Sequence, residues 1–170
     1  MARLGKSRLP IQIDIGFADV VTPAPASLEY PTILDFSAPQ LYGYPPETIL
    51  AEKFQAMTIL GMANSRMKDF YDVWMLITNF RFSGEIVQRA LERTFEHRNT
   101  ELPAEVHIIF SEEFVENKKE QWSAFIKKIE EEEEIEMGQV VSLLREFLLP
   151  VVHASRQGKS FKKKWRKKWK

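Results

Sequence analysis

Cysteine is absent from this 170-residue chain, which excludes disulfides, thiolate zinc sites and cysteine nucleophiles. Long apolar runs are absent too. The run from Phe147 to Val152 is broken by Pro150 and falls far short of the roughly 20 residues that span a bilayer. Histidine is scarce, and His97, His107 and His153 stand too far apart for a metal motif or a catalytic dyad, so each reads as structural. No P-loop occurs, and no serine sits in a nucleophile elbow. Met1 is followed by a basic start without the apolar core of a signal peptide. The expectation is a cytoplasmic protein with no membrane partner.

What is present is a globular composition. Hydrophobic residues make up 44% and charged residues 28%, enough apolar surface for a core and too little charge to force disorder. The length fits one ordinary domain, or a partial sheet plus a helical lobe. The formal net charge of zero hides an asymmetry. Residues 161–170 carry seven of the 24 Lys and Arg, leaving 17 cations against 24 anions elsewhere, a net −7. Interleaved Trp165 and Trp169 could stack on RNA bases while the cations neutralise phosphates. Equally, this stretch could be a disordered terminus that binds nothing, or one that meets the chain's own Glu130–Glu134 run. Either way its few aliphatic groups predict a mobile tail, separable from the fold from about Ser155.

Residues 9–17 alternate Ile11, Ile13, Ile15 and Phe17 with Gln12, Asp14 and Gly16, the period of a half-buried strand. Asp14 falls on its polar side, where it either faces solvent or offers a hard-cation ligand beside a cleft. A Pro-rich loop follows at 22–26, then short extended pieces near 31–36 and 40–44. From Glu47 the pattern turns helical. Helices are predicted at about 47–62, 65–79, 83–97, 111–133 and 136–153, with Asn64 or Ser65, Ser83 and Ser111 as caps. No internal repeat is visible. The predicted class is α+β, with a partial sheet over 1–46, a helical lobe over 47–154 and the basic tail over 155–170.

One lysine is out of place. On a helix from Ile49 to Gly61, the residues Ile49, Leu50, Ala56, Met57 and Leu60 share an arc, and Lys53 lands in its middle. A buried ammonium is costly unless it meets a counter-ion or a polar cleft; otherwise its stem lies on apolar surface and its head reaches water. On the next helix Asp69 and Asp72 lie one turn apart on one face, beside the stripe of Phe70, Val73, Trp74 and Ile77. Lys68 and Asp72 have the spacing of a surface ion pair, and Arg66 opens the helix. Two cations and two anions at a helix start, facing a stranded lysine, suggest a polyanion site. If Lys53 is functional, replacing it with alanine removes a charge from an apolar arc and is expected to leave folding intact or improve it.

The stretches Tyr44-Pro45-Pro46-Glu47-Thr48-Ile49-Leu50-Ala51-Glu52-Lys53 and Asn64-Ser65-Arg66-Met67-Lys68-Asp69-Phe70-Tyr71-Asp72 resemble the AbiEii/AbiGii-type toxin family. Its members are bacterial nucleotidyltransferase-like proteins, many of them the toxin half of toxin–antitoxin or phage-abortive-infection pairs. Ile11 to Asp19 is similar to the family's third acidic strand, and Trp122-Ser123-Ala124-Phe125 to the start of its C-terminal helical part. The resemblance runs from about Arg3 to about Ala154.

That resemblance implies transfer of a nucleoside monophosphate from an NTP to an RNA acceptor, with tRNA the leading candidate, and Mg2+ as cofactor. By the same resemblance Asp14 completes the metal site, Lys53 neutralises triphosphate charge, and Asp69 orients Lys53 or positions the acceptor. Arg66 and Lys68 hold phosphates, and Asp72 buttresses Lys68. The family fold normally begins with a Gly-Ser turn and a carboxylate pair on a strand. No Gly-Ser and no Asp-x-Asp precedes Asp14, so the chain resembles the family's C-terminal part. Either the reading frame is short, or an upstream catalytic half is a separate polypeptide; in both cases this chain alone is expected to be inactive. The alternative is a non-catalytic helical interaction module that pairs with that half or with an antitoxin, or an RNA-binding protein acting through its tail.

Overall fold

The computed structural model describes residues 1–13, 15, 19–103, 107–131 and 135–170, with the side chains of residues 2–4 outside the description. Five helices carry the fold: α1 Pro46–Leu60, α2 Met67–Asn79, α3 Gly84–His97, α4 Glu112–Lys128 and α5 Met137–Arg156. Short strands accompany them as three separate antiparallel pairs among the described residues. Strands β1 Ala2–Leu4 and β2 Ser7–Leu9 form the first, β3 Ala26–Glu29 and β4 Gln40–Gly43 the second, and β5 Phe82–Ser83 and β6 Lys164–Trp165 the third. The class is α+β, as the sequence predicts. Among the described residues no helix is long and apolar enough to cross a membrane.

Local chemistry explains the helix ends. Pro46 opens α1 at a position where its fixed φ suits the helix and its missing N–H costs nothing. Gly61 ends α1 at φ +47, a left-handed conformation that glycine adopts without Cβ strain. Ser111 caps α4, its hydroxyl accepting from Phe114 N at 3.1 Å. Ser83 occupies the cap position of α3 without a side-chain hydrogen bond. Ahead of α2 the carboxamide of Asn64 accepts from Arg66 N at 2.8 Å, a turn-forming bond that leaves Arg66 at the cap position.

The helices bury one continuous core. Phe54 of α1 meets Phe95 of α3 at a ring-centroid distance of 5.6 Å, and Phe70 of α2 meets Phe114 of α4 at 5.4 Å. Val140, Leu144, Leu148 and Val151 line the fully or almost fully covered face of α5. Helix α5 runs on through Pro150; burial of Val151 and Val152 just beyond it offsets the one backbone bond that proline deletes.

Two sequence expectations are corrected here. The strand predicted over 9–17 is formed only at Leu9, the end of β2, in its described part: Ile11, Ile13 and Ile15 are exposed and outside any strand, and the pairing instead runs from Ala2 to Leu9. Alternation alone does not make a strand; a ladder of backbone hydrogen bonds with a neighbouring edge does. Of the later extended pieces, 40–44 forms as β4, while 31–36 is the connection and its partner strand lies earlier, at Ala26–Glu29.

The second correction concerns residues 155–170, expected to be mobile and apart from the fold. Trp165 is completely buried, and its indole N–H donates to the carbonyl of Ile77 at 2.7 Å. Trp169 donates to the carbonyl of Phe147 at 2.9 Å. Both rings pack on Phe147 with centroids 4.9 Å away. The lysines that make the segment look soluble all point outward, while its aromatics return to the core. Two indoles supply the apolar area that the aliphatic count missed.

The N-terminal segment is tied to the helices through threonines. Thr22 N donates to Thr48 Oγ1 at 2.8 Å, and that hydroxyl donates back to Thr22 O at 2.9 Å. Arg93 of α3 reaches Thr22 Oγ1 at 3.0 Å.

Candidate functional site

Helix α1 presents Lys53 to the face of α2 that carries Asp69 and Asp72. The Lys53 ammonium lies 2.8 Å from Asp69 Oδ1 and 2.7 Å from Asp72 Oδ2. The three side chains are only 21%, 15% and 22% exposed, so both ion pairs are partly shielded. Lys68, an exposed side chain, adds a third contact to Asp72 Oδ2 at 2.6 Å. The lysine in the apolar arc therefore neither escapes to water nor sits unpaired. The i,i+3 spacing of Asp69 and Asp72 builds a two-pronged acceptor for it.

The electrostatics follow from these contacts. Burial pushes the Lys53 ammonium down, but hydrogen bonds from it to Asp69 and Asp72 outweigh that and hold its pKa above the usual 10.5. Burial pushes the Asp72 carboxyl up, and hydrogen bonds from Lys53 and Lys68 reverse the effect, leaving it below the usual 3.8. Both shifts favour the charged pair.

Two cavities flank the cluster. One, of about 470 Å3, is lined by Ile49, Lys53, Asp72, Met75, Leu76, Asn79 and Phe80. It is mostly apolar with charge at one end. The other, of about 820 Å3, includes Ser65, Arg66, Lys68, Asp69, Gln121, Phe125 and Lys128. The second gathers three cations, Arg66, Lys68 and Lys128, beside the Asp69 carboxylate.

The structure thus gathers Lys53, Asp69, Asp72 and Lys68 into one cluster and places Arg66 on the wall of the second cavity. Asp72 touches both lysines, rather than Lys68 alone. Asp14 lies outside the described residues. Sequence reasoning missed Lys128, contributed by the far end of α4, and the apolar wall of Met75 and Phe80. No local spacing could place Lys128, because it reaches the site only through the packing of α4 beside α2. The aromatic at Phe80, just past the end of α2, was a legible signal.

The expectation that removing Lys53 would leave folding intact rested on an unpaired charge in an apolar arc, and the two ion pairs overturn that premise. Its loss would leave Asp69 and Asp72 facing each other in a partly dry site.

The described residues do not by themselves fit a magnesium ion. No group of three or more His, Asp or Glu converges among them. The two available carboxylates are already engaged by Lys53, whereas magnesium demands near-octahedral oxygen ligation.

No curated protein matches the chain, and no solved structure does. The family model described as "Nucleotidyl transferase AbiEii toxin, Type IV TA system" matches residues 1–163, which takes in both helices of the Lys53 cluster. The chain therefore belongs to the AbiEii family of nucleotidyl transferase toxins of type IV toxin–antitoxin systems, a class that implies a nucleotide substrate and an antitoxin partner.

Proposed function

We propose that this chain supplies the helical, phosphate-neutralising side of a nucleotidyl transfer site that moves NMP from an NTP to an RNA hydroxyl. The supporting observation is the Lys53 ammonium, held by Asp69 and Asp72 on the wall of a mainly apolar cavity, while Asp69 also lines a second cavity that carries Arg66, Lys68 and Lys128. In the reaction the acceptor oxygen attacks the α-phosphorus, the bond to the bridging α–β oxygen breaks, and pyrophosphate leaves. Negative charge grows on the phosphate oxygens, and a fixed ammonium beside them lowers that barrier without reorganising.

In this reading Asp69 and Asp72 hold the Lys53 side chain in place, and Asp69 can also position the acceptor. Arg66 and Lys68 take phosphates in the cationic cavity. The chain's 170 residues contain no Gly-Ser and no Asp-x-Asp, so the acidic pair that the chemistry calls for comes from other residues. Magnesium, when bound, would be held by that other set together with Asp14. The chain alone is inactive in transfer. tRNA is the first acceptor to test.

The test pairs binding with labelling. Calorimetry should show NTP binding by the chain that is lost in Lys53→Met while helicity is retained. Incubation with α-labelled NTPs, magnesium and total RNA should leave RNA unlabelled. An NTP affinity unchanged by Lys53→Met would make the lysine structural and favour an interaction module instead. Robust labelling by the chain alone would overturn the assignment of the acidic pair to other residues.

A further inference from the structure

The last ten residues are laid on the protein as a strap. Phe161 N donates to Gln88 Oε1 at 2.9 Å, and Gly84 N donates to Lys163 O at 2.8 Å. Strand β6 then pairs Trp165 with Phe82. Beyond it the chain closes on itself, Lys164 and Lys170 exchanging backbone hydrogen bonds at 3.0 and 3.1 Å around a turn at Arg166 to Lys168. The seat is tight: a Cβ on Gly84 would stand 2.4 Å from Phe161 Cδ1 and 2.6 Å from the Phe161 carbonyl oxygen.

This anchoring sorts the side chains. Phe161, Trp165 and Trp169 face the core. Lys162, Lys163, Lys164, Arg166, Lys167, Lys168 and Lys170 are all exposed, and none forms an ion pair with a described residue. A flexible tail of seven cations would lose conformational entropy on binding; a strap already pinned by two indoles has lost most of it. The rest of the chain carries net −7 and would repel a polyanion, so the strap is where one would be tolerated.

Its position matters as well. Phe82, which pairs with β6, follows by two residues Phe80, a wall of the cavity shared with Lys53. Trp165 is hydrogen-bonded to Ile77, five residues along α2 from Asp72, a rise of about 7.5 Å.

We propose that residues 161–170 form a preorganised phosphate-binding surface that grips the sugar–phosphate backbone of the acceptor RNA beside the Lys53 site. The family match ends at residue 163, so most of this surface lies beyond it. The proposal rests on the reading that the acceptor is RNA. Because the indoles are committed to the core, the contact is with phosphates and not with stacked bases. Recognition is then electrostatic and indifferent to sequence.

The test uses the full chain and a fluorescently labelled tRNA transcript, with affinity measured across a salt series. A quadruple change of Lys162, Lys163, Lys167 and Lys168 to glutamine should weaken RNA binding at least tenfold at about 0.1 M salt and flatten the log–log salt slope by about three units. Melting temperature and NTP affinity should stay as they were, which keeps this result separate from the fate of Lys53. Arginine at the same four positions should restore binding. Tryptophan emission should not shift when RNA binds. The proposal is overturned if the folded glutamine variant binds RNA as the wild type does, if RNA shifts tryptophan emission, or if vesicles rich in phosphatidylserine bind more tightly than RNA at equal salt.

Discussion

The indole N–H of Trp165 caps the end of α2, donating at 2.7 Å to the carbonyl of Ile77 across 88 positions of sequence. The last carbonyls of a helix have no partner within it, so a residue near the chain's end completes a helix near its middle. Replacing Trp165 with alanine removes a fully buried ring and this bond together. The expected cost is about 3–5 kcal/mol, read as a lower urea midpoint. Deleting residues 161–170 should do at least as much. A truncated chain that melts like the intact one would contradict the anchored strap.

Gly84→Ala tests the same seat from the other side. The added methyl meets Phe161 and two backbone carbonyls, so β6 must lift away from β5. Faster amide exchange at Gly84, whose N–H bonds Lys163 O, and at Trp165 would report it. The loss should be about 1–3 kcal/mol, the range for overpacking.

Lys53→Met should destabilise the protein by about 1–3 kcal/mol. That is less than the ~3–5 kcal/mol expected for breaking a fully buried pair, because solvent screens a site that is about one-fifth exposed. Adding Asp69→Asn and Asp72→Asn to Lys53→Met should recover most of the loss. Chemical denaturation of the single and triple variants measures both.

Stability should depend on pH through the same cluster. The Asp72 carboxyl is held below its usual 3.8, so the folded state binds fewer protons than the unfolded one in that range. Its contribution is present above the unfolded value and is lost as pH falls through the folded value. Lys53 is held above 10.5, so its contribution is complete below that and is lost only as pH rises past it. The stability difference between wild type and Asp72→Asn should therefore be flat from about pH 5 to 9 and shrink below about pH 4.

Thr48→Val should act on the N-terminal segment alone. It deletes both bonds to Thr22 and strands buried backbone groups, at about 1–3 kcal/mol. Limited proteolysis should then cut ahead of Pro46 sooner, with α1 to α5 left resistant.

The helices were legible through their apolar period, as in the stripe of Phe70, Val73 and Ile77 on α2, and in one case through a cap, Ser111 before α4. The partnership of Lys53 with Asp69 came through the family resemblance, since a cation in an apolar arc calls for a counter-ion or a polar cleft without saying which residue supplies it. The N-terminal strands were not legible, because pairing depends on which edge lies alongside, and the alternation of Ile11, Ile13 and Ile15 does not specify one. The strap misled for a different reason. Its average composition is that of a solvated tail, while Phe161, Trp165 and Trp169 recur every fourth residue, a pattern that averaging erases.

The hairpin of β3 and β4 ends at two strands among the described residues, and Leu28, Leu41 and Tyr42 on it are exposed. Two strands are marginal by themselves, and their outer edges are templates for another chain. The effect belongs to colloidal behaviour, not to catalysis. Concentrated solutions should grow larger particles by light scattering, and a lysine in place of Leu41 should keep them small.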